Sequence, residues 1–272
     1  MSIDVKMAWR NIWRNPRRTI LTICAIAFAS LLLVFMLSFQ FGSYETMINT
    51  SVKIQTGHLQ IQADGYQDKK SIRLVVPDPA RIAKLLAKIP KVAAYAFRGQ
   101  AFSLVSSKQR TYGVVVTGID PELEANVSRL KSLIRQGEFL SEEDTDQALV
   151  GRLLARNLRV SLGDELTVVG QGRDGSIAAT VAKVKGIFSS GIAEFDRASI
   201  HIPLKTFQEI YSMQGAVHEV VVIADSLGDI DKIKRSIKAD LSASNLKKPL
   251  AILDWNELMP GLRQSIEMDL IS

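Results

Sequence analysis

Gly170-Gln171-Gly172-Arg173-Asp174-Gly175 has the spacing G-x-G-x-x-G, which in the right setting cradles a phosphate. That chemistry requires a helix N-terminus directly after the last glycine, where free N–H groups and the helix dipole meet the pyrophosphate. Here SIAATVAKVKG follows, an alternating stretch that reads as a strand. Asp174-Gly175 is therefore expected to be a hairpin turn and not a nucleotide loop. No Walker A sequence occurs, so ATP hydrolysis by a P-loop is excluded. His58, His201 and His218 lack H-E-x-x-H or related spacing and read as strand or surface residues. No serine sits in G-x-S-x-G, and Glu142, Glu143 and Asp144 read as a solvated turn or cap. The expectation is no catalytic, cofactor-binding or metal-ligating residue, and hence a protein that is not an enzyme and carries no cofactor.

What such a chain must position is a membrane segment. Of the formal charge of +6, Lys6, Arg10, Arg14, Arg17 and Arg18 against Asp4 place +4 in the first 18 residues. The remainder is nearly neutral and shows no basic stripe or reading element, so nucleic acid is not an expected partner. Between Arg18 and Glu45 lie 26 residues without a charge, against about 20 needed to cross the hydrocarbon. Cations dominate the N-terminal flank, whereas the other flank offers only Glu45 and Lys53, so the N-terminus is expected in the cytoplasm. Trp9 and Trp13, spaced i, i+4 with Met7, Ala8 and Ile12 nearby and Arg10, Asn11, Arg14, Arg17 and Arg18 around them, predict a membrane-interface segment that Pro16 ends.

Other readings of the apolar run fit less well. Ala27-Phe28-Ala29 resembles a signal-peptidase site, but the run continues through Phe39. A lipoprotein signal at Leu21-Thr22-Ile23-Cys24 would need a small residue in place of Ile23 and a longer apolar region before the cysteine. A buried core helix is opposed by the absence of charge. Cys24 is the single cysteine, so the rest of the chain enters an oxidising compartment without a thiol or a disulfide.

Beyond the span the pattern is strand, helix, strand, twice. HLQIQ from His58 alternates, Asp78-Pro79 opens a helix with Ile82, Leu85, Leu86 and Ile89 on one face, and Val92 to Val105 reads as strand. Later, His218 to Ala224 reads as strand, Asp229 or Asp231 caps IDKIKRSIKADL, and Pro249 to Leu253 is a short strand. Two such halves predict an α+β split βαβ, ferredoxin-like sheet with both helices on one face. Between them ALVGRLLARNLRV, the turn Gly163-Asp164 and the pair ELTVVG and IAATVAKVKGIF predict an inserted, β-rich part. The expected organisation is an interfacial segment at 1–18, the transmembrane helix at 19–44, a stalk at 45–56, and half-units at 57–125 and 216–254 around an insertion at 126–215. A return helix at 255–272 closes the list, interrupted early by Pro260-Gly261. Its Leu258, Leu262, Ile266 and Leu270 share one side and are expected to pair with Met47, Ile48 and Val52 of the stalk.

The opening MAWRNIWRNPRRT followed at once by an apolar span resembles the start of ABC transporter permeases of the MacB and LolC/LolE class, which includes FtsX. The segment from Ala148 to Leu204, with L-A-x-x-L-x-x-x-x-G-D-x-L at Leu154 to Leu166, resembles that class's extracytoplasmic core domain. The resemblance implies a porter-like ferredoxin-like part and a sabre-like β-rich part. It also implies four spans with this domain between the first two, so the chain is expected to be a fragment or truncated product that stops where the second span begins. Since MacB itself carries an N-terminal ATPase domain, the resemblance is nearer to lipoprotein-releasing permeases. Implied partners are an ABC-type ATPase subunit, a second permease copy or homologue forming a dimer, the lipid membrane, and a lipoprotein or other exported cargo. The implied place is the bacterial inner membrane with the main domain in the periplasm. The rival reading is a single-span anchored binding or scaffold protein without a transporter partner.

Overall fold

The protein is described by a computed structural model that covers residues 7, 9–10, 12–243 and 249–271. Ala8 and Asn11 of the interfacial segment, and the side chain of Leu270, lie outside the described residues. The chain forms two compact units, one up to Ile48 and one from Asn49 on.

Helix α1 (Pro16–Val52) has 37 residues and, at 1.5 Å per residue, is about 55 Å long. Pro16 sits in its first turn, where a missing N–H costs nothing, so the break expected at this proline is also the start of the span. The helix has a stretch of mean hydropathy 2.8 and is long and apolar enough to cross a membrane. Every side chain from Ile20 to Phe39 is exposed, unlike those of a core helix. The helix continues past the end of the charge-free run at Tyr44 for eight residues, to Val52.

The second unit then runs β1 (Leu59–Ala63), α2 (Tyr66–Lys69), β2 (Val76–Pro77), α3 (Pro79–Leu86), β3 (Val92–Ser106), β4 (Thr111–Ile119), α4 (Pro121–Val127) and β5 (Ile134–Gly137). It continues through β6 (Gln147–Gly151), α5 (Arg152–Leu158), β7 (Glu165–Gln171), β8 (Ile177–Phe188), α6 (Ala193–Ala198), β9 (Ser199–Pro203) and α7 (Leu204–Ile210). The last elements are β10 (Ala216–Val217), β11 (Glu219–Ala224), α8 (Ile230–Ala243), β12 (Leu250–Asp254), α9 (Trp255–Leu258) and α10 (Pro260–Ile271). Local chemistry sets several boundaries. Asp78 caps α3 by accepting from the Arg81 N–H at 3.2 Å, and Asp120 caps α4 through the N–H groups of Glu122 and Leu123, each with proline in the first turn.

The strand order β12-β1-β11-β3, antiparallel throughout, is the split βαβ arrangement: β1 and β3 enclose β11, while β11 and β12 enclose β1. Helices α3 and α8 cover one face, where Ile82, Leu86, Ile233 and Ile237 cluster with Leu59, Ile61, Val220 and Val222. The other face carries α4, whose Leu123 and Val127 pack on Ala96, Val221 and Ile223.

The inserted part shares this sheet. Strand β3 has 15 residues; its first part pairs with β11 and its end with β7, while β4 lines its other edge. From there β4, β9, β6, β8 and β7 follow in turn, and β7 returns to β3, so six strands close into a barrel. Closure removes the free edges that an isolated insertion would expose. The barrel borrows β3 and β4, which precede residue 126, so the sheet does not divide there. The end of the barrel nearest the split βαβ sheet is filled by Phe207 of α7, whose ring lies over the cross-strand pair Gly99 and Gly118. The hairpin turn expected at Asp174-Gly175 is present, with Gly175 at φ +93° between β7 and β8.

Candidate functional site

The segment from Asn49 to His58, where α1 ends and the sheet begins, is held by a set of buried polar contacts. Val52 is buried, Gly57 takes φ +71°, and the Gly57 N–H donates to the Val52 carbonyl at 2.7 Å. A side chain at Gly57 would combine that left-handed backbone with a collision against Val221, so the turn into β1 requires glycine. The His58 ring spans the turn: its Nδ1 accepts from the Ala224 N–H at 3.0 Å, which leaves Nε2 to donate to Asn49 Oδ1 at 2.9 Å. That tautomer is neutral, and burial, then Lys53, holds the His58 pKa below the ordinary histidine range.

Arg98 of β3 anchors the same segment. Its guanidinium donates to both Glu124 carboxylate oxygens, at 2.9 and 2.6 Å, and with Nη1 to the Gln55 carbonyl. Both side chains are almost wholly buried. Burial alone pushes the Glu124 carboxyl up, but the Arg98 guanidinium overcomes this and holds it below its ordinary range. Burial likewise pulls Arg98 down, and Glu124 more than offsets it. The pair thus fixes α4, β3 and the Gln55 backbone as one charged knot. Further ties are the Arg129 N–H to the Lys53 carbonyl at 2.8 Å and Gln60 Nε2 to the Thr56 carbonyl at 2.8 Å.

The chain leaves the domain beside the point where it enters. Leu59 pairs with Asp254 across β1 and β12, and the Trp255 N–H donates to the His58 carbonyl at 3.1 Å. Asp254 then starts α9 with a capping box closed by Glu257, and Lys234 of α8 bonds both carboxylates at 2.8 and 2.5 Å. The arrangement holds residues 49–58 and the start of α9 against neighbouring strands of one sheet.

Residues 19–240 match the family model for the MacB-like periplasmic core domain. The chain belongs to this family. The fold of this MacB-like domain is similar to the periplasmic region of MacB from Actinobacillus actinomycetemcomitans, with a TM-score of 0.56 at 17% identity over 79% of this chain and 94% of that one. It is also similar to the extracellular domain of the noncanonic ABC-type transporter YknZ from Gram-positive bacteria, with a TM-score of 0.53 at 12% identity over 74% of this chain and 100% of that one. No curated protein matches. The protein therefore carries the periplasmic domain of a MacB-like ABC transporter permease, and the family is a transporter component.

Within this MacB-like chain the residues singled out from the sequence fall in several places. Trp9 and Trp13 are exposed and meet edge to face at 6.2 Å, with Arg10, Arg14, Arg17 and Arg18 exposed around them. Of the stalk residues, Met47 and Ile48 belong to the helical unit, while Val52 and Leu258 are buried in the other and Leu262 and Ile266 are half-buried there. All three histidines are buried, each in or beside a strand, none at the surface. Sequence reasoning missed Arg98, Glu124 and Gly57. The signal for Arg98 was an arginine inside the apolar strand VAAYAFRGQAF, since a charge there must be paired. Its partner, 26 residues on, could come only from the fold.

Proposed function

We propose that the protein is a permease subunit of an ABC transporter of the mechanotransmission type, coupling ATP hydrolysis on a partner subunit to the handling of an extracytoplasmic cargo. The observation that supports this reading is the adjacency of the two connections at the base of the domain: the chain enters at His58 and leaves at Asp254 on paired strands. A displacement of either connection is then delivered to one edge of one sheet. The buried Arg98–Glu124 knot and the His58 bridge keep the end of α1 from moving independently of that sheet. A rigid element of this kind transmits a transition when the assembly has two discrete arrangements. By the same proposal the N-terminus is cytoplasmic, the domain lies in the periplasm of the inner membrane, the permease works as a dimer with a second copy or homologue, and the cargo is of the lipoprotein class.

Two measurements test this. An ABC ATPase is expected to co-purify with the full-length gene product from its native host, and absence of any ATPase leaves the anchored scaffold reading in place. A cysteine at Ser107 is expected to react with an impermeant thiol reagent from the outer side only; labelling from the cytoplasm alone reverses the topology.

A further inference from the structure

On the sheet face away from α3 and α8 the second unit holds a cavity of about 580 Å³, within the range of small-molecule sites. It joins a polar floor to a side that carries exposed apolar groups. Glu219 of β11 is almost wholly buried there, accepting from Gln100 Nε2 at 3.1 Å and lying 3.5 Å from Lys70 Nζ. Gln60 and Gln67 line the same floor, and both accept from the wholly buried Gln62 behind them. Next to Gln100 on the same strand is Phe102, 73% exposed, with its cross-strand partner Val115, and Ile192 ahead of α6 and Glu194 and Phe195 within it complete this side.

The charge in this cavity is incompletely answered. Arg98 is committed to Glu124 and the Gln55 carbonyl. Lys70 is half exposed and divided among Glu219, Gln67 Oε1 at 3.0 Å and the Tyr66 ring, with its Nζ 4.8 Å from the centroid. Burial accordingly pushes the Glu219 carboxyl up despite Lys70 and Arg98. Glu219 thus presents a buried carboxylate to a cavity whose resident cation, Lys70, is itself half exposed.

We propose that this cavity binds an amphiphile bearing a primary ammonium group, with the ammonium replacing Lys70 at Glu219 and the apolar body lying on Phe102 and Val115. The site stands on its own geometry and does not depend on the transport reading. A ligand of on the order of 10–20 heavy atoms fills the volume.

The test uses the full chain in phosphatidylcholine nanodiscs, with 4-phenylbutylammonium as probe, 4-phenylbutyrate and 4-phenylbutanol as controls, and equilibrium dialysis corrected with empty discs. The ammonium probe is expected to bind once per chain and at least about tenfold more tightly than either control. Glu219→Gln should weaken it about tenfold or more and Phe102→Ala several-fold. Lys70→Gln should tighten it, because the competitor is gone; a contact that only shapes the fold predicts no gain. Phe102 and Lys70 are exposed enough for both variants to fold, so the test survives a failure of Glu219→Gln. Equal binding of the three probes, or a Lys70→Gln variant that binds no better than the parent, overturns the proposal. Nanodiscs containing phosphatidylethanolamine identify the source: competition with the probe points to a lipid headgroup, its absence to a soluble amine, and either outcome upholds an ammonium site.

Discussion

Arg98 and Glu124 are each tolerable in the interior only because the other is there. Replacing Glu124 with Gln leaves a buried guanidinium without its paired carboxylate. Removing one partner of a buried pair costs about 3–5 kcal/mol, and unfolding of the variant in urea should show a loss of that order. A loss under about 1 kcal/mol would mean that water reaches the pair and that the knot at Gln55 is weaker than its geometry implies. The histidines give a pH dependence. Burial lowers the folded pKa of His201 and His218 to about 4, from an ordinary 6.5. The unfolded chain therefore binds more protons between these values, and the stability these two confer is complete above about pH 6.5 and lost as pH falls toward 4. The loss is up to roughly 3 kcal/mol per histidine. Glu219, raised by burial, acts in the opposite sense, since the folded state takes its proton first. Thermal midpoints measured from pH 7.5 to 4.5 should fall, and should fall less for His218→Gln; a flat profile would show that these rings titrate normally.

Among elements, α7 and the β3–β4 pair meet at a close contact. The Phe207 ring occupies the space that side chains at Gly99 and Gly118 would need. Gly118→Ala should cost about 1–3 kcal/mol through overpacking, and Phe207→Leu in the same chain should return part of it. Strict additivity of the two changes would place the strain elsewhere. The stalk and return helix make the second proposal at this scale. Cysteines at Met47 and Leu262, with neighbouring positions scanned over about one turn, should crosslink in the membrane-embedded protein. Failure at every register would remove this pairing from the coupling scheme.

At the scale of the molecule, residues 53–254 contain the complete split βαβ sheet, the closed barrel and the helices that cover them. Expressed without α1, this span is expected to unfold cooperatively as a disulfide-free domain, because its core clusters draw on no residue of the apolar run. A gradual, non-cooperative melt would show that the end of α1, with Val52 and Asn49, is part of the folding unit. The outcome matters for coupling, since a domain stable by itself can be moved as a rigid body.

How much of this was legible beforehand depended on the range of the interactions. The apolar run, its cationic flank, the Pro16 start and the hairpin at Asp174-Gly175 are local features, written in consecutive residues, and the chain alone determined them. The two strand–helix–strand halves were legible for the same reason, because alternation and helical spacing are properties of short windows. That β1 lies between β11 and β12, and that β3 is long enough to serve both the sheet and the barrel, was decided only by pairing between strands far apart in the chain, as Leu59 with Val222 and Asp254 and Ser103 with Gly170. The candidate site belongs to that second class. Arg98 stands out only as a charge in an apolar strand, Glu124, Gln55 and His58 not at all, and the four become a joint only when packing removes the water that would otherwise satisfy their charges and polar groups.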